Sequence, residues 1–191
     1  MMETFKPALI LLTICFVTVA MVAAVNSFTQ EQISNINKKE EESTMKEVLP
    51  GVDSFDTVAL NYFDEDRRVT LHHMNKGFKE EEPIGYEFVT QTMGYAGAMT
   101  IIVGIDTQGK VTGVMLGDNS ETAGLGSKIG ETTFVKQFIG REISNLTVVT
   151  GKPASADNEI DAVTFATISS KGMTNAVNAV LAYYNEMMKG E

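Results

Sequence analysis

The sequence predicts a small α+β domain, built from an antiparallel sheet and a C-terminal helix, that is tethered to a membrane by one N-terminal helix. Three observations indicate this class: an uncharged apolar run near the N terminus, short β-branched runs separated by turn residues, and apolar residues at helical spacing near the C terminus. At 191 residues the chain can form one such domain with accessory segments. We expect a cytoplasmic stub and transmembrane helix over residues 1–27, a polar stalk over 28–50 and the domain over 51–191.

The N-terminal run covers residues 7–25 and contains no charged side chain. A helix of that length spans a hydrocarbon core of about 30 Å. A cleaved signal peptide is the alternative, but its apolar region is usually shorter, about 7–15 residues. Lys6 precedes the run and the next basic residue is Lys38, so the positive-inside rule places the N terminus in the cytoplasm. We therefore expect a single-pass protein of the cell membrane with its main domain on the extracytoplasmic side.

Composition excludes several classes of function. The net charge is −10 and no basic stripe occurs, so nucleic acid is excluded as a partner. The single cysteine, Cys15, excludes an internal disulfide framework and a cysteine metal cluster. No serine or cysteine nucleophile comes with an evident base, so the pattern indicates neither a catalytic residue nor a metal site.

Strands are predicted in order along the domain. The strongest covers residues 99–105, Met-Thr-Ile-Ile-Val-Gly-Ile, and the turn sequence Asp-Thr-Gln-Gly at 106–109 predicts that residues 110–116 pair back as a hairpin. Further runs rich in β-branched and aromatic residues predict strands at 57–63, 68–74, 86–92 and 145–150.

Two helices are predicted. One covers residues 131–139. The stronger lies at the C-terminal end, where apolar residues recur at helical spacing: Met173, Ala176, Val177, Val180, Leu181, Tyr184 and Met188.

Glycine is concentrated in the middle of the chain. Nine of the sixteen glycines lie between Gly94 and Gly130. Four of these nine belong to two loops, Met-Gly-Tyr-Ala-Gly at 93–97 and Ser-Glu-Thr-Ala-Gly-Leu-Gly-Ser-Lys at 120–128. Glycine permits positive φ and close approach of the backbone to a flat ligand, so these loops are either turns or walls of a binding site.

Small residues and hydroxyls crowd the segment Asp-Ala-Val-Thr-Phe-Ala-Thr-Ile-Ser-Ser at 161–170, just before the C-terminal helix. Ser169 or Ser170 is predicted as the N-cap. A helix N terminus also presents free N–H groups that suit a phosphate, and Lys171 adds a cation there. Capping and phosphate binding both remain open from these residues alone.

These segments together resemble the FMN-binding domain family. The similarity includes Tyr-Ala-Gly-Ala-Met-Thr-Ile-Ile-Val-Gly-Ile-Asp at 95–106, Gly-Lys-Val-Thr-Gly-Val at 109–114 and Glu-Thr-Ala-Gly-Leu-Gly at 121–126, where Ala123 replaces the family's proline. The chain is similar in particular to the G subunits of Rnf complexes. Three features indicate this: its length, its single N-terminal span and the threonine motif near its C terminus. That family is related to the C subunit of the sodium-pumping NADH:quinone reductase.

The resemblance implies where FMN is held. In the family a flavin transferase esterifies FMN onto the last threonine of Asp-x-x-Ser/Thr-Gly-Ala-Thr, which is Thr167 here, while Phe165 stands at the glycine position. The motif and the loops imply these further cofactor-binding residues: Asp161, Thr164, Ala166, Ser169, Ser170, Lys171, Tyr95, Glu121, Thr122, Gly124, Leu125 and Gly126.

The resemblance also implies the function. We expect an electron-transfer subunit of a membrane-bound complex that couples electron flow from reduced ferredoxin to NAD⁺ with Na⁺ or H⁺ translocation, together with other membrane and redox subunits. The alternatives are a membrane-tethered binding or assembly module without covalent flavin, and a standalone extracytoplasmic flavoprotein.

Overall fold

The computed structural model describes residues 11–12, 14–19, 21 and 46–189 of the chain. Within these residues no helix is both long and apolar enough to cross a membrane. The membrane span expected at 7–25 and the stalk expected at 28–50 fall mainly outside the described residues. Residues 46–189 belong to a compact unit that begins at Thr44.

A five-stranded antiparallel meander forms the centre of this unit, with each strand paired to the next in the chain. It confirms the predicted sheet, and each of the four strands predicted from 57 to 105, together with the hairpin partner at 110–116, lies within or largely overlaps an observed one. The strands are β1 (Ser54–Asp64), β2 (Val69–Lys79), β3 (Glu82–Met93), β4 (Ala98–Asp106) and β5 (Val111–Asn119).

The predicted turn between β4 and β5 is built around Asp106. Its carbonyl accepts the Gly109 N–H at 3.0 Å, and its carboxylate accepts the N–H groups of Gln108 and Lys110 at 2.8 and 2.9 Å. Gly109 has a φ of +86°, and a side chain there would overlap the Tyr184 ring. Glycine therefore meets both a conformational and a spatial demand at this position.

The connection between β5 and the last helix is irregular. Its 3₁₀ turn Gly126–Gly130, short helix α1 (Thr132–Val135) and second 3₁₀ turn Lys136–Phe138 replace the single helix predicted at 131–139. Two short strands follow, β6 (Thr147–Val149) and β7 (Glu159–Asp161), and they pair in parallel. The strand predicted at 145–150 is confirmed as β6, whereas β7 and the small parallel sheet were not predicted.

Helix α2 (Thr167–Tyr183) confirms the C-terminal helix and continues as a π-helical turn, Tyr184–Met188. Met173, Val177, Val180 and Leu181 are fully buried in the main core. Asn178 brackets the backbone of Leu146, accepting its N–H and donating to its C=O, both at 2.9 Å. These two bonds join α2 to the segment just before β6.

The other face of the sheet is covered by the start of the unit. Val103 and Ile105 belong to the main core, so alternation along the strand turns Gly104 to the opposite face. Gly104 pairs with Gly113, and a Cβ on either residue would overlap the backbone of Val48. Thr112 completes the contact by donating its hydroxyl to the Val48 carbonyl at 2.6 Å.

A polar row continues across this face in register with the two glycines. Thr57, Asn75, Glu87 and Gly104 are successive cross-strand partners. The Thr57 hydroxyl donates to Asn75 Oδ1 at 2.6 Å, and Asn75 Nδ2 donates to Glu87 Oε1 at 3.0 Å. The two faces of the sheet therefore differ in chemistry: α2 packs on an apolar face, and residues 48–49 lie beside a hydrogen-bonded one.

Candidate functional site

The N terminus of α2 meets the loop between β3 and β4. Gly172, in the second turn of the helix, is so close to the backbone carbonyl of Met93 and to the Met99 side chain that a Cβ would overlap both. This approach brings the 161–170 segment to the loop at 93–97. Two segments that are more than sixty residues apart in sequence therefore lie together.

Glu121 connects both glycine loops to α2. Its Oε2 accepts the Ser169 hydroxyl at 2.7 Å, and its Oε1 accepts the Ala96 N–H at 3.1 Å. A Cβ at Gly94 or Gly126 would overlap the same carboxylate. We call this arrangement of Gly94, Ala96, Glu121, Gly126 and Ser169 the Glu121 junction.

The space beside the loop glycines is not all open, as the sequence had led us to expect. The loops were predicted to leave space for a flat ligand, but at Gly94 and Gly126 the Glu121 carboxylate fills that space. Gly97 and Gly124 differ, since a Cβ on either would meet nothing within 4 Å. Gly124, with a φ of +77°, therefore needs glycine for its backbone conformation and leaves open space beside it.

Thr122 begins the turn that carries Gly124. Its carbonyl accepts the N–H of Leu125 at 3.0 Å, and the Gly124 N–H donates to the Ser127 hydroxyl at 3.0 Å. The predicted Thr122, Gly124 and Leu125 are all solvent-exposed on this turn, while Gly126 is buried against the junction.

Thr167 is the first residue of α2 and is half-buried. The helical ladder starts with the Ser170 N–H, which donates to the Ala166 carbonyl at 2.8 Å. The N–H groups of residues 167–169 precede that bond, so they are the donors that an α-helix leaves without a partner in its own ladder. They carry the positive end of the helix dipole.

Neither predicted serine is the N-cap. The cap position is Ala166, which is buried and forms no side-chain capping bond. The Ser169 hydroxyl instead donates to Glu121, and the Ser170 hydroxyl accepts the Val163 N–H at 3.0 Å. The helix starts three or four residues earlier than the capping pattern predicted, and both serine hydroxyls are used in other contacts.

Phe165 adopts the backbone conformation of a glycine. Its φ is +65°, and the Ala166 N–H donates to the Val163 carbonyl at 2.9 Å, so residues 163–166 form a turn. A positive φ at the third residue only is the signature of a type II turn, in which glycine is preferred at that place. The Phe165 side chain is 88% exposed, and it therefore points into solvent. The substituted position thus keeps the turn that a glycine would make.

The hydrogen bonds of Asp161 are made to Ala154 and Gln137 and not to Thr167. Its carboxylate accepts the Ala154 N–H at 2.6 Å, and its backbone is bracketed by Gln137, which accepts the Asp161 N–H at 2.8 Å and donates to its C=O at 3.2 Å. Asp161 therefore fixes the loop at 150–157 and the end of β7. No feature of the sequence around Gln137 predicts that its side chain holds the backbone of Asp161.

Glu159 fixes the same loop from the other end of β7. Its carboxylate accepts the N–H groups of Ser155 and Ala156 at 2.8 and 3.3 Å and the Ser155 hydroxyl at 3.1 Å. These bonds, with the Ser155 N–H foremost, lower the pKa of Glu159 to about 2.

Exposed apolar side chains flank the junction. Met93, Tyr95, Leu125 and Ile168 each stand next in sequence to a residue of the Glu121 junction, and Phe165 lies in the adjoining turn. We call these five residues the apolar rim. Thr164 and Lys171 are also exposed around Thr167. Sequence reasoning identified Tyr95 and Leu125 but missed Met93 and Ile168, which only their exposure distinguishes from core residues.

These features fit a flavin mononucleotide. The N–H groups at the start of α2 suit a phosphate, and Thr167 presents a hydroxyl at the same place. Gly97 and Gly124 leave open space on the loops, and the apolar rim suits a planar aromatic ring. The fold and the site thus define an FMN-binding domain, and residues 94–182 match the FMN-binding domain family.

The chain belongs to the RnfG family, the G subunits of Rnf-type ion-translocating oxidoreductases, since residues 1–48 also match the RnfG N-terminal region and full-length relatives agree. It is similar to the G subunit of the Na⁺-translocating ferredoxin:NAD⁺ oxidoreductase complex of Acetobacterium woodii, with 31% identity over 97% of this chain and 93% of the relative. The G subunit of the proton-translocating complex of Clostridium ljungdahlii is 30% identical over 85% and 82%.

Solved structures share the fold. The C subunit of the Na⁺-translocating NADH-quinone reductase from Parabacteroides distasonis superposes with a TM-score of 0.56 at 20% identity, over 80% of this chain and 84% of that one. NqrC from Shewanella oneidensis gives 0.52 at 16% identity, over 70% and 65%.

Proposed function

We propose that this chain is the electron-transferring G subunit of a membrane-bound Rnf-type complex and that it carries FMN as a phosphoester on Thr167. The relatives are named as subunits of ferredoxin:NAD⁺ oxidoreductase complexes that translocate Na⁺ or protons. By this proposal the complex couples electron flow from reduced ferredoxin to NAD⁺ with translocation of one of these ions. The chain acts with other membrane and redox subunits, without independent catalysis.

The observation that carries the proposal is the position of Thr167. It is the first residue of α2, beside three backbone N–H groups, and follows a turn in which Phe165 has the φ expected of glycine. Phe165 therefore occupies the glycine position of the motif with the backbone conformation that glycine would adopt there. The helix N terminus and the hydroxyl together suit a phosphate that is both bound and esterified.

Attachment needs a flavin transferase and an activated donor. The Thr167 oxygen forms a bond to the FMN phosphorus, the phosphoanhydride of a flavin dinucleotide breaks, and a nucleoside monophosphate leaves. The hydroxyl proton passes to a base of the transferase or to the leaving group. When bound, FMN supplies the one- and two-electron chemistry.

The protein supplies position. The Glu121 junction joins both glycine loops to the first turn of α2, which begins at Thr167. By our proposal this keeps the open glycines and the apolar rim within reach of a flavin attached to Thr167. A tethered flavin also stays at high effective concentration beside its redox partners. This matters if, as we propose, residues 7–25 anchor the chain in the cell membrane with the N terminus cytoplasmic and the domain outside.

Intact mass after co-expression with a flavin transferase tests the proposal. The wild-type chain should gain the mass of one FMN less water and fluoresce in a denaturing gel. Thr167→Ala should lose both, and Thr167→Ser should keep a hydroxyl for transfer. Thr164→Ala separates the two neighbouring threonines: if flavin were retained in Thr167→Ala and lost in Thr164→Ala, the assignment to Thr167 would be wrong.

A wild-type chain that stays colourless, with no mass increase, would favour a tethered assembly module instead. A flavinylated chain that co-purifies with no membrane redox subunit would favour a standalone flavoprotein.

A further inference from the structure

Phe165 is placed unfavourably for the stability of the isolated domain. Its φ of +65° lies in the left-handed region, which is costly for any residue with a Cβ because the Cβ crowds the following carbonyl oxygen. Its ring is 88% exposed, so burial returns almost none of that cost. Glycine at the same position would avoid both disadvantages.

The location of the ring indicates what it contacts. Two trans peptide bonds separate Phe165 from Thr167, so their Cα atoms are at most about 7.6 Å apart. Ile168 follows Phe165 by three residues and is 53% exposed, and Tyr95, on the loop that meets the start of α2, is 74% exposed. If the phosphate of FMN is held at Thr167, the isoalloxazine ring is tethered nearby. The exposed Phe165 ring is then well placed to contact it.

We propose that Phe165 is a flavin-contacting residue and that its ring packs against the isoalloxazine of FMN held at Thr167. This inference rests on the proposed function. Aromatic pairs favour offset-stacked or edge-to-face contact and gain from it beyond area burial. The contact shields one part of the flavin from water and limits the positions open to the tethered ring. A glycine in the same turn supports the same attachment but leaves the flavin more mobile and more accessible.

The test uses the flavinylated full-length chain in detergent, with each sample normalised to its FMN content by intact mass. In Phe165→Gly the turn keeps its φ, so folding is preserved. Collisional quenching of flavin fluorescence by iodide should then rise, because the ratio of stacked to unstacked flavin falls by roughly two- to tenfold.

A second variant tests contact directly. Tyrosine donates an electron to an excited flavin at contact range, whereas phenylalanine does not. Phe165→Tyr should therefore dim the flavin severalfold while leaving its absorbance unchanged. Phe55→Tyr is the matched control, because Phe55 lies at the other end of the sheet from residues 93–98. Its successive cross-strand partners are Gly77, Gly85 and Asp106. It should leave the flavin as bright as in the wild type.

The outcomes separate the two proposals. If no FMN is attached to the wild-type chain, the proposed function fails. If FMN is attached but Phe165→Tyr stays bright and Phe165→Gly is no more accessible to iodide, contact with the flavin is disproved. Loss of co-purifying membrane subunits in Phe165→Gly, with flavin accessibility unchanged, would show instead that the ring contacts a partner protein.

Discussion

The Glu121 carboxylate accepts the Ser169 hydroxyl at 2.7 Å and thereby ties the second glycine loop to the first turn of α2. The same carboxylate accepts the Ala96 N–H from the first glycine loop. Ser169 is fully buried, so its hydroxyl depends on this partner rather than on water. A negative charge at this end of α2 is also favoured by the helix dipole.

Removing either side of this bond should destabilise the domain. A charge-assisted hydrogen bond is lost and the buried Ser169 hydroxyl is left unpaired, so Glu121→Ala should cost about 1–3 kcal/mol of unfolding free energy. Ser169→Ala should cost less, since the half-buried carboxylate can bind water. Urea denaturation of the single and double variants should give a coupling of about 1 kcal/mol. Glu142→Ala, at an exposed glutamate, is the control, and a coupling near zero would contradict the contact.

The turn at Phe165 predicts a stabilising substitution. Phe165→Gly removes about 1–2 kcal/mol of left-handed strain and adds about 0.5–1 kcal/mol of chain entropy cost, so a net gain of about 0.5–1 kcal/mol is expected. Phe165→Ala keeps the strain and loses almost no packing, and should therefore be nearly neutral. Urea denaturation of apo protein measures both variants. A loss of stability in Phe165→Gly would show that the ring packs within the domain.

The glycine pair under Val48 should not tolerate a side chain. A Cβ at Gly113 would lie 2.5 Å from the Val48 Cα, so Gly113→Ala must displace residues 48–49 or the strand, at a cost of about 1–3 kcal/mol. Gly117→Ala is a matched control on the same strand, where the nearest atoms are side-chain carbons of Thr100 at 3.3 Å. Thermal unfolding should separate the two. Equal melting temperatures would mean that residues 48–49 are not held against the sheet.

Acid should weaken the loop at 150–157 through Glu159. Its folded pKa of about 2 lies below an unfolded value near 4.5, so its contribution to stability is fully present above about pH 5 and is lost as the pH falls toward 2. Glu159→Gln should be less stable than wild type at pH 6, and this difference should shrink steadily as the pH is lowered. Urea denaturation at pH 6, 4 and 3 measures the difference. A difference independent of pH would show that the carboxylate charge is not involved.

Local patterns predicted most of the regular structure. The β-branched runs from 57 to 116, the Asp106–Gly109 turn and the spacing from Met173 to Met188 are signals carried by neighbouring residues, and all three are confirmed. Strand β7 is only three residues long, so it lacked a periodic signal, and its parallel pairing with β6 depends on Gln137 and Asn178 from elsewhere in the chain.

Candidate site residues were predicted less evenly. Motif order indicated Glu121, but its carboxylate occupies the space beside Gly94 and Gly126 that was expected to receive a ligand. Ser169 and Ser170 fit a capping pattern, yet partners 48 residues and 7 residues away use their hydroxyls. Asp161 fit the flavin motif, and its carboxylate holds the Ala154 N–H.

The sequence by itself determined the class of fold, the positions of the five strands between 54 and 119, the C-terminal helix and the family, because each follows from periodicity, turn chemistry or motif order along the chain. Only the tertiary structure decided that Glu121 joins two loops to α2, that Val48 lies over paired glycines and that Phe165 holds a glycine-like φ with its ring in solvent. The first two properties depend on side chains and backbone that the fold brings together across strands and loops. The third is a positive φ that a phenylalanine rarely adopts, so the residue type alone would not predict it.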